Sequence, residues 1–324
     1  MNSQTRFHET MCYGEPDRVP WFEEGIRKEV LKTWRMQDKA SFEDFLRLPP
    51  SDKREEIELD LEPHLGLKSR PTTISELDTL RRALKPHQRR RVPKGWSKSL
   101  RTWWGRDHVL MLRVHRGFFL SMGVHDWRGF KRLMFSCIRD PAFVRESMKI
   151  QGAFAAKLVE RVLQDVTVDA AVFSEPIGDN NGPLISPRMY EDFVLRSYEP
   201  VLEVLARQGV ETIILRTFAN ARLLIPSLLE WGFNCLWACE VNIQAMDYRD
   251  LRREFGRDLR LIGGIDLDAL RHDKERIRYE MEEKVQPLVA DGGFIPLADG
   301  RVREDVPLEN YLYYRHLLEK MTQG

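Results

Sequence analysis

No run of about 18 apolar residues occurs in these 324 residues, and Met1–Pro20 lacks the layout of a secretory leader. Both absences point to a soluble, cytoplasmic protein with no membrane partner. Cysteine is scarce: four residues, at 12, 137, 235 and 239, are too few and too scattered for a disulfide framework. Charge of one sign is missing as well. Fifty-one Lys and Arg offset 50 Asp and Glu, leaving +1, so no global field draws in nucleic acid or anionic lipid. There is no low-complexity tract. No glycine-rich phosphate fingerprint follows any strand-like segment, which argues against a nucleotide-binding doubly wound sheet.

What is present is an aromatic-rich apolar fraction and a repeating plan. Apolar residues make up 42%, with eight Trp and sixteen Phe, enough for a sizeable core. From Val109 onward, short apolar segments alternate with helical spacing. VLMLRV, AAVFSE, TIILR, CLWACEV, LRLIGGI and GFIPLAD read as parallel strands, because strands buried on both faces are apolar throughout. Trp21–Phe22 reads as a first strand, and an eighth is sought within 60–110. The expected fold is α/β, a single (β/α)8 TIM barrel, with 1–105 as N-terminal extension and rim and 106–324 as the main barrel units. An open doubly wound sheet is the alternative. The basic run KPHQRRRVPKGWSKSLR reads as a solvated rim loop pinned by Trp96, Trp103 and Trp104. No matching basic face occurs elsewhere, so nucleic acid is not an expected partner.

In such a barrel the chemistry sits at the C-terminal ends of the strands. Those tips carry Glu23 and Glu24, His115 and Arg116, Glu175, Arg216 and Asn220, Cys239 and Glu240, Asp266, and Asp299 with Arg301. Arg216 is the most informative. An apolar strand has no packing reason to end in a guanidinium, which needs a carboxylate such as Glu175 or Glu240, or an anionic ligand. Alternation sets Thr212, Ile214, Arg216 and Phe218 on one face. Carboxylates poised apart in pKa can serve as acid and base, which selects Glu175, Glu240 and Asp299 as catalytic candidates. Arg216, Asn220, His115, Arg116, Arg301 and Glu24 are the substrate-binding candidates. Cys235 and Cys239, four apart on one strand, would lie roughly 13 Å apart, too far to share a zinc. They read as buried and inert, and no metal is expected.

The stretches RFHETMCYGEPDRVP, GPLISPRMYEDF, LIPSLLEWGFN, LIGGIDLDAL and GGFIPLADGRVREDVPLENYLYY resemble the uroporphyrinogen decarboxylase superfamily. The likeness covers 1–25 and about 115–321, and its C-terminal half is specific. It implies a (β/α)8 barrel acting either as a tetrapyrrole decarboxylase, a lyase, or as a methyltransferase partnered by a corrinoid protein. The methyltransferase-like branch is the more similar, and Glu175 and Glu240 match acidic positions common in it. Those methyltransferases carry His-x-Cys-Gly-Asn where this chain has Arg216, Phe218, Ala219 and Asn220, and a further cysteine near Ala298–Gly300, where Asp299 stands. The decarboxylase hallmark is also absent, since Trp21–Gly25 reads WFEEG. The expectation is a one-carbon transfer enzyme for a small anionic or methylated substrate. It would bind no cofactor itself, with the corrinoid on a partner. Tetrapyrrole decarboxylation and a catalytically silent ligand-binding barrel are the alternatives. Elemental analysis of the purified protein should find far less than one zinc per chain; about one zinc, lost on Cys239→Ser, would contradict this.

Overall fold

The computed structural model describes residues 1–65, 70–239 and 245–322. The chain divides into two compact units, one of Met1–Arg54, Asp107–Val109 and Cys235–Gly324, the other of Glu55–Arg106 and Leu110–Asn234. Each is built from parallel strands and the helices that follow them.

In the second unit the strand order is Arg54–Glu58, Val109–His115, Ala170–Ser174, Thr212–Thr217. Val109–His115, Ala170–Ser174 and Thr212–Thr217 are buried as their apolar sequences require, except at Arg113, Ser174 and Arg216, which are half-buried. They lie in parallel register, with Arg113 beside Val172 and Val172 beside Ile214. Behind them runs the 25-residue helix Pro141–Asp165. Asp140 caps it by accepting the Phe143 amide at 3.1 Å, and Pro141 sits in the first turn, where no amide is needed. It packs on the helix Arg196–Arg207. The contact is close because Gly152 stands there: a Cβ would lie 1.8 Å from the Ser197 carbonyl oxygen.

The first unit pairs Cys235–Ala238 with Arg260–Ile265 and the latter with Phe294–Ala298, all parallel. Its N-terminal segment is fixed by ions rather than by strand pairing. Asp52, almost wholly buried, accepts from Arg6 at 2.5 Å, Arg18 at 2.6 Å and the Trp21 amide at 2.8 Å. Burial alone would raise its carboxyl. The Trp21 amide, Arg18 and Ser3 outweigh it and hold the group below its ordinary range. Glu23 is likewise tied to the last helix, Leu308–Thr322, through the Tyr311 hydroxyl at 2.5 Å and Arg315.

Two expectations need correction. Trp21–Phe22 forms no strand; the nearest pairing is an isolated parallel bridge between Ile26 and Val302. The strand instead lies at Arg54–Glu58, whose REEIE sequence has no apolar signature. Cys239 falls just past its strand, which ends at Ala238. Seven strands of the alternating plan occur among the described residues. In the first unit, Tyr248 bridges two of them, accepting the Ala238 amide at 3.0 Å and donating to the Ile262 carbonyl at 2.8 Å. Tyr248→Phe would leave both buried groups unmatched. We expect urea unfolding to show a loss of roughly 1–3 kcal/mol, and an unchanged midpoint would show that the strands re-pair without the hydroxyl.

Candidate active site

Strand register decides which tip residues share a face. Arg113, Val172 and Ile214 form one cross-strand row, and Ser174 stands beside Arg216 in the next. Residues paired across parallel strands point the same way and neighbours along a strand point oppositely. Arg113 and Arg216 therefore project from one face, and Phe173 from the other, the face covered by the Arg196–Arg207 helix. Glu175, two residues past Phe173, returns to that covered side.

Glu175 has no solvent exposure at all. Its backbone amide continues the ladder by donating to the Arg216 carbonyl at 2.7 Å. One carboxyl oxygen accepts the Phe118 amide at 2.8 Å and the other accepts the Tyr198 hydroxyl at 2.5 Å. The turn that delivers the Phe118 amide depends on Gly117, which has φ +88°. A Cβ there would meet the Ser174 carbonyl oxygen at 2.7 Å and the Glu175 carboxyl at 2.9 Å. Burial raises the Glu175 pKa to about 7, more than the bonds from Tyr198 and Phe118 lower it.

Two buried tyrosines flank this carboxyl, and a local irregularity sets them there. Tyr190 and Tyr198 are eight residues apart, which at about 100° per residue would set them about 80° apart round a regular helix. The wide π turn Glu191–Leu195 absorbs roughly one extra residue and brings them back toward one side. Burial first, and then the Glu175 charge, raises both phenols well above their ordinary value. The Tyr190 hydroxyl is buried and makes no hydrogen bond among the described residues.

His115, expected to bind substrate, lies in this same covered layer. The register slips between Arg113 and His115, so that His115 pairs with Phe173. That bulge moves its ring to the helix side, 4.4 Å from the Tyr198 ring. Its Nδ1 accepts the Gly117 amide at 3.0 Å, and burial lowers its pKa to about 3, so it is neutral.

On the opposite face Arg216 pairs with Glu56; of the carboxylates expected from the sequence, Glu175 lies on the covered side and Glu240 is outside the described residues. The guanidinium grips it in a fork, Nη1 to Oε2 at 2.6 Å and Nη2 to Oε1 at 3.1 Å. Arg113 reaches the same carboxylate at 2.7 Å and Glu58 at 2.9 Å. Burial would raise Glu56; Arg216 and Arg113 together hold it below its ordinary value, so it is ionised. Reasoning from sequence missed Glu56 and Arg113. The argument applied to Arg216 would have found Arg113, a lone charge inside VLMLRV.

The other tip residues make local bonds. Arg116 pairs with Glu62. Asn220 donates its amide to the Asp179 carbonyl at 2.9 Å and accepts the Arg222 amide at 3.2 Å. In the first unit Glu24 pairs with Arg54 at 2.8 Å. Asp299 accepts the Leu267 amide at 3.1 Å, and Arg301 is exposed. Glu240 lies outside the described residues. Cys235 is buried, and burial pushes its thiol up to about 12. The zinc set of the methyltransferases does not fit these residues: Arg216 is a cation bound to Glu56 and Phe218 has no donor atom. Among the described residues no three His, Cys, Asp or Glu gather as a metal-holding group.

The chain belongs to the uroporphyrinogen decarboxylase (URO-D) family, whose sequence model matches residues 122–313. Its fold is accordingly a TIM-barrel-like α/β fold. The structure is similar to a methyltransferase from Methanosarcina mazei, with TM-score 0.62 and 14% identity over 99% of each chain. More distant are a putative vitamin-B12 independent methionine synthase from Listeria monocytogenes (TM-score 0.43, 10% identity, 94% and 96% covered) and a family 10 endo-β-1,4-xylanase from Gloeophyllum trabeum (TM-score 0.44, 9%, 73% and 83%). No curated protein matches the sequence.

The raised Glu175 pKa makes a signed prediction. A neutral carboxyl favoured by the fold contributes stability below its unfolded pKa, about 4.3, and that stability is lost as pH rises through about 7. Glu175→Gln imitates the neutral form and should remove this slope. Between pH 5 and pH 8 the wild type should lose about 2–3 kcal/mol more than the variant in urea unfolding; parallel profiles would contradict the assignment.

Proposed function

We propose that this chain is a (β/α)8-barrel enzyme that transfers a one-carbon unit from a small anionic or methylated substrate, working with a corrinoid held by a partner protein. The observation that supports it is the ion cluster Arg113–Glu56–Arg216 on the face of the strands opposite the covering helix. Two guanidiniums fixed by one carboxylate form a preorganised anchor for an anionic group, since Arg presents its donors in a rigid fork. Asn220 and Arg116 add polar groups at neighbouring strand ends. Glu175 acts from behind the strand, where its carboxyl fixes the ends of two strands against the helix. Asp299, Glu240, Glu24 and Arg301 stand as further proposed participants.

In methyl transfer the bond between the methyl carbon and its heteroatom breaks, and the electron pair stays on the heteroatom, which then takes a proton. The corrinoid, bound to its own protein, supplies the nucleophile that receives the carbon. The task of this chain is to bind and orient the donor, and the proton is drawn from solvent water. The same two guanidiniums also favour a second reading, decarboxylation of a carboxylate-bearing tetrapyrrole. There the carbon–carbon bond breaks, carbon dioxide leaves, and a proton replaces it.

The test is consumption of methyl donors of several classes in the presence of reduced cobalamin, followed by NMR, beside uroporphyrinogen in a parallel arm. Turnover of a methyl donor supports the first reading and loss of carboxyl groups from uroporphyrinogen the second; turnover of neither contradicts both. Arg216→Lys should keep the fold but weaken transition-state or substrate binding by about 1.5–3 kcal/mol, read from kcat/KM. If it lowers only the melting temperature, Arg216 is a structural residue and the site lies elsewhere.

A further inference from the structure

The basic run that the strand plan leaves unexplained is a built concavity. Arg91 is wholly buried, and its guanidinium donates to the backbone carbonyls of Asp60 at 2.9 Å, Glu62 at 2.6 Å, Ala83 at 2.8 Å and Lys85 at 3.3 Å. Arg161, on the helix Pro141–Asp165, donates to the Pro86 carbonyl at 2.9 Å. The Trp96 indole N–H donates to Asp165 at 2.9 Å, that of Trp103 donates to Glu55 at 2.9 Å, and the two rings meet edge to face. These bonds hold the segment from both ends. Arg89, Arg90, Lys94 and Lys98 are exposed, so the segment is solvated as expected, and it is also held. Trp96 and Trp103 pin it, whereas Trp104 is 90% exposed.

The held segment borders an open hollow of about 690 Å³ lined by Arg89, Arg90, Lys94, Lys98, Arg161 and Trp96, with no carboxylate in its lining. Ligand pockets typically run to about 300–1,000 Å³. Arg89, Lys94 and Lys98 carry no carboxylate partner among the described residues. In a chain whose net charge is +1, five cations around one hollow are a local concentration. Holding like charges together in a fixed frame is unfavourable, and a multiply charged anion relieves it. The backbone that carries these cations is already held by Arg91, Arg161, Trp96 and Trp103, so the ordering left to oppose binding is that of the exposed side chains. Guanidiniums match phosphate oxygens in pairs, lysines add point charges, and the Trp96 indole with Val92 and Pro93 gives one wall an apolar surface.

We infer that this hollow binds a small ligand bearing a chain of two or more phosphates, at a site separate from the strand-face residues of the proposed function. Titration of the full-length protein in phosphate-free buffer at ~50 mM salt, with inorganic triphosphate, ATP and a short single-stranded oligonucleotide, tests it. Saturable 1:1 binding of triphosphate and ATP, weakened at least ~10-fold in Arg89→Glu/Lys94→Glu/Lys98→Glu of unchanged melting temperature, supports the proposal. ATP binding more tightly than triphosphate, with quenching of Trp96 fluorescence that Trp96→Phe abolishes, would assign a nucleotide; equal affinities would assign the phosphate chain alone. No saturable binding of either below ~5 mM, or undiminished binding by the charge-reversed variant, would overturn it. So would an oligonucleotide that displaces ATP with an affinity that grows with its length, which would mark a nucleic-acid surface instead.

Discussion

A carboxyl group without access to water must keep its proton or find an ion, and Glu175 is such a group at the end of an apolar strand. Among the described residues no guanidinium or ammonium reaches it; an amide and a phenol do. Much of the second unit is arranged to make that acceptable. Gly117 lets the turn after Val109–His115 approach closely enough to present the Phe118 amide. The π turn brings Tyr190 and Tyr198 toward one side, and the bulge before His115 supplies a neutral ring to pack on Tyr198. A helix, two strand ends and a turn therefore meet at one titratable proton. A charge there would leave an unpaired buried anion, which costs several kcal/mol.

The other face of the same strands follows the opposite rule. Glu56 keeps a small exposure, two guanidiniums reach it, and it is held ionised. The strands thus separate a neutral carboxyl on the helix side from an ionised one, held by Arg113 and Arg216, on the other. The dry layer around Glu175 ties the strand ends to the helix behind them.

The strands and long helices from Val109 onward were legible because fully buried parallel strands are continuous apolar runs and their helices keep a 3.6-residue period. Arg54–Glu58 was not. What makes REEIE a strand is the pairing of Glu56 and Glu58 with Arg113, 57 and 55 residues away, and no local pattern contains a distant partner. Arg216 was read as needing a carboxylate for the same physical reason it has one, but the identity of Glu56 could not come from strand tips alone. The side that His115 takes is set by the bulge between Arg113 and His115, which no sequence pattern marks. The π turn left no periodic trace either, since Glu191–Leu195 reads as ordinary helix. The family resemblance drawn from the C-terminal half agrees with the family match over 122–313.

The central claim is that Glu175 holds a proton in the folded protein under conditions where ordinary glutamates do not. Carbon-13 NMR of protein labelled at the glutamate side-chain carboxyl reads this directly, with Glu175→Gln identifying the resonance by its loss. The account predicts one carboxyl that titrates near 7, well separated from the others, and moves higher in Tyr198→Phe. A Glu175 resonance titrating among the exposed glutamates, near 4.3, would contradict it.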